Sequence, residues 1–404
     1  MPVLPRALRP LQGALMTVPP STGTADAVAD AFLRSAVGGP SVAGRGRARF
    51  HPLTVVEVRP LTADAIEVTF AVPDELQGDY GYLPGQYVAL RTTLDGQEMR
   101  RSYSLCRPPT PGSLSIAIKR DRGGRFSTWA QTGLHPGDTL EVMSPQGTFT
   151  SALADLDGAH IAGIAAGSGI TPVMALASAV LARSDRSRVT LVYTNRSSAD
   201  VMFLEDLADL KDRYPTRLAL HHVLSREQRS APLLSGRIDA GKLRTILDAL
   251  VLPETIDEWF LCGPLELVQL CRDTLADIGV DRSHVRYELF TTGDDPRPHP
   301  VAPLAVRPDA PSVTVEITLD GHSATVQSPV DAHESILTAA LRVRPDAPFA
   351  CAGGVCGTCR ARLLTGSVHM TENYALEPDE LERGYILTCQ SHPTSDRVAV
   401  DYDV

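Results

Sequence analysis

Four of the chain's seven cysteines fall as Cys351-x4-Cys356-x2-Cys359, with Cys389 after 29 further residues. Thiolates at that spacing are the ligands of a plant-type [2Fe–2S] cluster, three from one loop and the fourth from a distant segment. Gly353, Gly354 and Gly357 suit such a loop, because a backbone without Cβ atoms bends tightly and can turn its N–H groups toward anionic sulfur. A disulfide framework and a zinc tetrathiolate are the competing uses of four cysteines. Disulfides do not fit the cytoplasmic setting inferred below, and structural zinc prefers paired hairpins with two close cysteines on each. Cys106 and Cys271 stand outside any motif and read as buried, inert thiols.

A second set of polar groups is Arg101-Ser102-Tyr103-Ser104, followed by Gly123-Gly124-Arg125-Phe126-Ser127-Thr128. A guanidinium with clustered N–H and hydroxyl groups can hold a pyrophosphate. An aromatic ring can pack on an isoalloxazine, and a hydroxyl can assist a hydride arriving at it. Taken singly these segments also occur by chance or as turns.

The third set begins at Ala165-Ala166-Gly167-Ser168-Gly169-Ile170-Thr171-Pro172, a strand running through a glycine turn into a helix. Thr171 is placed as N-cap and Pro172 as the first helical residue, leaving free N–H groups for a phosphate. Pro172 departs from the Gly-x-Gly-x-x-Gly fingerprint. The next strand ends in Tyr193-Thr194-Asn195-Arg196-Ser197, with no acid for a ribose 2′-hydroxyl, and the third in Ser225-Arg226-Glu227. Arginine in place of that acid is the mark of NADPH over NADH; the alternative is that Arg196 and Arg226 are solvated loop residues.

The elements that must carry these groups follow from the hydrophobic pattern. Short strand candidates from Leu53 to Val142, punctuated by Pro84-Gly85, Asp95-Gly96 and Pro136-Gly137, predict an antiparallel barrel. From Ala159, strands at His160–Ala166, Arg188–Thr194, Leu218–Leu224 and Glu258–Cys262 alternate with helices at Pro172–Ala182, Val201–Lys211 and Leu265–Ile278. That alternation predicts a doubly wound parallel sheet. Six prolines among residues 293–311 predict an extended spacer. Beyond it, a hairpin around Asp320-Gly321 and a helix at Glu334–Leu341 predict a small α+β unit around the cysteines; the resemblance of that unit to plant-type ferredoxins implies a β-grasp. The expected organisation is a disordered extension over 1–48, a flavin barrel over 49–157, an α/β NADP domain over 158–292, a linker over 293–311 and a ferredoxin domain over 312–404.

Composition sets the outer bounds. At 404 residues, with a net charge of −10 and 21% charged residues, the chain is an ordinary globular protein of more than one domain. Its acidity argues against nucleic acid as a partner. Residues 313–404 carry six Arg against thirteen acids, suited to docking on a basic surface, although a solvated face gives the same excess. Residues 161–182 are uncharged, but the glycines at 167 and 169 break the run, so no membrane span is expected. No signal-peptide pattern opens the chain, so a cytoplasmic protein is expected. His333-Glu334 lacks the second histidine of His-Glu-x-x-His and no Gly-x-Ser-x-Gly occurs, which leaves hydrolase readings unsupported.

Together, the arginine–tyrosine–serine segment, the Gly/Ser loop and the proline-ended glycine turn resemble the ferredoxin–NADP reductase superfamily, over about residues 50–292. The C-terminal part resembles a plant-type ferredoxin. The resemblance implies FAD held by Arg101, Ser102, Tyr103, Ser104, Ile118 and Lys119, with Gly124, Arg125, Phe126 and Ser127 at its phosphates. It implies NADPH held by Gly167, Gly169, Thr171, Pro172, Arg196, Ser225, Arg226, Cys262, Gly263 and Pro264. Ser104, Cys262 and Glu288 are the implied catalytic residues; Glu288 reads equally as an exposed acid at a domain end. Within oxygenase reductases, Arg101 to Cys106, Asn195-Arg196, Val201-Met202-Phe203, Ser225 to Glu227 and the strip from Asn373 to Val398 resemble the reductase components that serve bacterial phenylacetyl-CoA epoxidases. That implies a diiron oxygenase as partner. A reductase of a Rieske ring oxygenase, using FMN and NADH, and a redox-sensing electron carrier are the alternatives.

Overall fold

The computed structural model describes residues 14–17, 48–121, 123–151, 153, 156–290, 311–349, 351–376 and 378–404. They fall into two compact units, one holding 48–290 and the other holding 14–17 with 311–404. The first strand, β1 (Ala14–Thr17), belongs to the second unit.

The first unit opens with six antiparallel strands: β2 (Phe50–Thr62), β3 (Ala65–Ala71), β4 (Tyr87–Leu94), β5 (Gln97–Ser104), β6 (Ser113–Lys119) and β7 (Thr139–Met143). Alternation drives them: in β2, Leu53 and Val55 are buried while Val56 faces out. The order is β5-β4-β7-β2-β3-β6, and a bridge between Leu105 and Ile116 ties the two edges, which curls the sheet into the expected barrel. Asp95 and Gly96 both take positive φ, which gives the β4–β5 hairpin its two-residue turn. The Gly/Ser segment differs from a plain loop: α1 (Arg125–Gly133) starts inside it and buries Phe126 and Ala130, one turn apart, in the barrel core.

The nucleotide half has five parallel strands in the order β10-β9-β8-β11-β12. They are β8 (His160–Ala166), β9 (Arg188–Asn195), β10 (Leu218–Leu224), β11 (Glu258–Gly263) and β12 (Val285–Leu289). Its helices include α2 (Ile170–Arg183), α3 (Leu204–Arg213) and, farther along, α4 (Ala240–Ile246) and α5 (Leu265–Asp277). Two helix starts differ from expectation. α2 begins at Ile170 with Gly169 as N-cap, so Thr171 is inside the helix and Pro172 is its third residue; proline is tolerated there because the first-turn N–H groups have no helical acceptor. α3 begins three residues late because Phe203 takes φ +58°, a left-handed conformation that interrupts the helix.

The second unit is a β-grasp. β13 (Ser312–Leu319) and β14 (His322–Pro329) form the hairpin around Asp320 and Gly321; β13 also pairs in parallel with β19 (Arg397–Asp401). The sheet is completed by β15 (Arg360–Thr365) and β17 (Tyr385–Leu387), in the order β14-β13-β19-β15-β17. Val313, Val315, Ile317 and Leu319 turn inward onto α6 (Ile336–Leu341), which Ser335 caps by accepting the Thr338 N–H. A small sheet joins β1, β16 (Ser367–Met370) and β18 (Ser391–Pro393).

Within the expected extension, Ala14–Thr17 form a strand antiparallel to β16, whose backbone groups on that side would otherwise be unpaired; residues 1–13 and 18–47 lie outside the described residues. The expected linker lies outside them too, except for Pro311, whose carbonyl accepts the Val330 N–H at 3.0 Å. Residues 161–182 form the strand–turn–helix, and among the described residues no helix is long and apolar enough to cross a membrane.

Candidate functional site

The cysteine loop follows the β-grasp helix, with Cys359 and Cys389 buried and Cys351 and Cys356 partly so. The Cys351 sulfur accepts N–H groups from Gly353, Val355 and Cys356, each at 3.4 Å. Cys356 Sγ accepts the Cys351 N–H at 3.4 Å and lies 3.0 Å from Thr358 Oγ1. The thiols stand as two pairs, Cys351 with Cys356 and Cys359 with Cys389. Hydrogen bonding with Cys356 holds the Cys351 thiol down to about 7 against the effect of burial, helped by the Val355 and Gly353 amides. The same contact, with burial, pushes Cys356 up, and Cys359 with burial does so for Cys389. Among the described residues no three His, Cys, Asp or Glu side chains close on one point as a single ion requires. Two thiol pairs among inward-turned amides fit a binuclear iron–sulfur cluster, whose negative charge such amides stabilise.

The loop holds its shape through its neighbours. Gly354 has φ +75°, and a Cβ there would stand 3.0 Å from the Glu372 carbonyl oxygen. Tyr374 N–H donates to Gly354 O at 3.0 Å and Gln390 Nε2 to Ala352 O at 2.8 Å. Asn373 turns the strip back on itself, its Oδ1 accepting the Ala375 and Leu376 amides. This accounts for the Asn373–Leu376 strip and Gln390 that the sequence singles out.

On the barrel, β5 carries the arginine–tyrosine–serine segment. The Tyr103 ring packs 5.8 Å from that of Phe126, and burial pushes its phenol up. Arg101 Nη1 donates to the Arg100 carbonyl at 2.7 Å. The Ser102 hydroxyl is shut off from solvent with no hydrogen-bond partner among the described residues, as a group awaiting a polar ligand would be. Ser127 Oγ accepts the Asp121 N–H at 3.0 Å and so fixes the turn before α1. Of the side chains that the resemblance places at the flavin, Arg125 pairs with Asp95 at 2.8 Å and Gln97 at 2.7 Å, and Lys119 lies 3.6 Å from Asp64. Ile118 is buried in the barrel core.

The glycine turn rests directly on the end of β11. A Cβ on Gly169 would come within 2.2 Å of the Cys262 carbonyl oxygen, so only glycine lets the turn lie this close. Tyr193 donates to Gly167 O at 2.9 Å and Thr171 Oγ1 to Ser168 O at 3.0 Å. Beyond Cys262, Gly263 and Pro264 lead into α5, with Pro264 as its N-cap.

Here the three implied catalytic residues meet. Ser104 Oγ donates to Glu288 Oε2 at 3.1 Å, joining the barrel to β12. Cys262 is the register partner of Glu288 on the neighbouring strand. Burial first, and the Glu288 charge second, push its thiol up, so Cys262 stays a neutral, compact side chain.

A cleft of about 490 Å³ is lined by Arg196, Ser225, Arg226 and Arg237. Arg226 N–H donates to Arg196 O at 2.7 Å, which sets the two loops side by side. Arg196 is already engaged, by Asp200 and by Asp64 at 3.5 Å. Arg226 and Arg237 have no ion-pair partner among the described residues. Sequence reasoning missed Arg237; its signal was the Ser235-Gly236-Arg237 turn. The bridge from Leu224 to Ser235 and the Gly236 N–H on Leu224 O at 2.9 Å fold that turn back onto the end of β10.

Comparison with known proteins agrees with this layout. Family models match as an oxidoreductase FAD-binding domain at residues 52–151, an oxidoreductase NAD-binding domain at 164–273 and a 2Fe-2S iron-sulfur cluster binding domain at 317–394. The chain is 44% identical to one of the subunits of the 1,2-phenylacetyl-CoA epoxidase of Escherichia coli, over 88% of this chain and 98% of that one. It is 37% identical to the ferredoxin reductase component of 3-ketosteroid-9-alpha-monooxygenase of Mycolicibacterium smegmatis, over 87% and 96%. The solved structure of phthalate dioxygenase reductase shares the fold, with a TM-score of 0.53 at 22% identity, over 87% of this chain and 98% of that one.

Proposed function

The chain belongs to the family of oxygenase reductases that join FAD-binding, NAD-binding and 2Fe-2S domains in one polypeptide, and from that premise we propose that it passes electrons from NADPH to the diiron component of a phenylacetyl-CoA epoxidase. It is an NAD(P)H-dependent oxidoreductase whose partner is an oxygenase. The observation that carries the narrower partner is the 44% identity to the epoxidase component across nearly all of its length. Cytoplasmic residence belongs to the same proposal.

Bound in this fold, a flavin takes a hydride as an electron pair and an iron–sulfur cluster passes electrons on singly. The chain's own residues do the rest. Arg101, the Ser102 hydroxyl and the turn before α1 would hold the flavin, with the Tyr103 ring available to pack against it. The amides of the Gly167–Thr171 turn and the N-terminus of α2 receive the nicotinamide nucleotide's pyrophosphate. Cys262 leaves a small apolar surface beside the turn, where a ring can lie. Ser104 and Glu288 hold a proton between Oγ and Oε2 at the junction of barrel and sheet. In the iron–sulfur unit, Cys351, Cys356, Cys359 and Cys389 are the proposed ligands.

Preference for NADPH rests on the arginine cleft. Guanidinium–phosphate bonds contribute about 1.5–3 kcal/mol each, which is roughly 10- to 100-fold in affinity. Arg226→Ala should therefore raise KM for NADPH about tenfold or more and leave that for NADH within about twofold. Equal changes for the two nucleotides would remove the assignment. The partner is tested by adding the holoprotein to the purified oxygenase component of the epoxidase from the same organism. NADPH consumption matched by epoxide supports the proposal; reduced flavin and cluster without product assign the protein to another oxygenase.

A further inference from the structure

Hydride transfer requires two rings within about 3–3.5 Å, and a 1 Å misplacement can cost about 100-fold in rate. In this fold the barrel carries one ring and the α/β half the other, so the seam between them sets the approach. Part of that seam is apolar, such as Phe149 edge-on to Phe260 at 5.3 Å. Apolar contact is non-directional and does not by itself fix one register.

A second contact on the seam is directional. Arg59 on β2 and Glu67 on β3 are cross-strand partners, and Arg107 follows the end of β5. Arg59 donates to Glu67 Oε2 through Nε at 3.0 Å and Nη2 at 2.6 Å. Arg107 spans both Glu67 oxygens at 2.6 and 2.8 Å. The Cys106 thiol lies 3.6 Å from Glu67 Oε1. Glu67 is therefore fully engaged within the barrel, and the two arginines with it leave one surplus positive charge. Asp206 on α3 fills that fork, at 3.0 Å from Arg59 Nη2 and 2.7 Å from Arg107 Nη2. Its side chain is 17% exposed and that of Glu67 6%.

The start of α3 aims Asp206 at the fork. Val201, Met202 and Phe203 are all buried, and Phe203 holds its left-handed φ beneath the Arg107 guanidinium, 5.3 Å from the ring centroid. A strained residue kept in place by burial defines where the helix begins, and Asp206 follows three residues later. The Val201-Met202-Phe203 segment thus has a role beyond core packing.

We propose that Asp206 is a positioning residue for hydride transfer: seated between Arg59 and Arg107, its carboxylate fixes the α/β half on the barrel in the one register that brings nicotinamide onto flavin. The inference rests on the reductase reading above. A buried charge set of this kind adds little net stability compared with apolar packing, but it rejects displaced registers, because each leaves a charge unpaired. Asp206 touches neither nucleotide turn nor cleft, so its loss should leave binding unchanged and alter the rate.

The test is flavin reduction in the full-length holoprotein, followed by stopped flow, for wild type, Asp206→Asn and Asp206→Glu. It is run with whichever of NADPH and NADH reduces the wild type faster, so an error in coenzyme choice does not affect the outcome. Asp206→Asn should lower the limiting rate per bound flavin about tenfold or more while the nucleotide Kd stays within about threefold. It should also weaken the long-wavelength charge-transfer absorbance of the stacked rings, and Asp206→Glu should restore most of both. If Asp206→Asn does not accumulate with flavin, Arg59→Gln, which removes the more exposed arm, is read in the same way. An unchanged limiting rate and charge-transfer band, even with a lower melting temperature, would overturn the proposal and leave the contact structural.

Discussion

Cys356→Ser should reduce the protein's output to a cluster-dependent one-electron acceptor to background while flavin reduction by NADPH keeps its rate within about twofold. Cys356 forms a pair with Cys351 and receives that residue's N–H at 3.4 Å. Serine offers a hard hydroxyl where the chemistry needs a soft, readily ionised sulfur, and it breaks the reciprocal hydrogen bonding that keeps Cys351 acidic. The iron–sulfur unit has its own core, built from β13, α6 and the strands beneath the loop. The residues 48–290 form a separate compact unit with barrel and α/β cores of their own. A defect in the loop is therefore expected to act on the core of its own unit. The measurement pairs the visible and paramagnetic signals of the cluster with stopped-flow bleaching of the flavin. Both activities falling together would show that the two units do not function separately.

What the sequence disclosed, and what it withheld, follows the range of the interactions. The cysteine loop was legible because three of its cysteines lie within nine residues with glycines between them that suit a tight turn. The strands were legible where one face is buried and the other wet, as in Val313 to Leu319. Helix starts were less so. Phe203 would be an ordinary helical residue by propensity, and only its burial under Arg107 forces the conformation that delays α3. The Asp206 fork was invisible for a related reason: Arg59 and Asp206 are 147 residues apart, and each taken alone is a surface charge. Arg237 needed the fold as well, since only the bridge from Leu224 to Ser235 brings it beside Arg226. Resemblance assigns Arg125 and Lys119 to the flavin; their pairing with Asp95 and Asp64 of the barrel needed the fold to be seen.

Ser104→Ala should lower the limiting rate of flavin reduction by about 100-fold, the usual loss when one placed polar group is removed from a transition state. The Ser104 hydroxyl is the barrel's contribution to the cluster with Glu288 and Cys262, and its bond to Glu288 Oε2 at 3.1 Å crosses the junction of barrel and α/β half at which hydride transfer is proposed. Alanine keeps the β-strand and its pairing with Tyr87 on β4, so flavin content and nucleotide affinity should stay near wild type. It leaves Glu288 without that donor and removes a hydroxyl on β5 that is bonded to the α/β half. Ser104→Thr retains the oxygen and should recover most of the rate, which separates the hydroxyl from the shape of the pocket. A primary isotope effect with deuterated NADPH supplies the sharper reading. If the hydroxyl acts on the chemical step, the effect in Ser104→Ala should rise toward its intrinsic value, because hydride transfer becomes fully rate-limiting. If Ser104 serves only to bind flavin, Ser104→Ala should lose cofactor instead, and the molecules that retain it should reduce at the wild-type rate with an unchanged isotope effect.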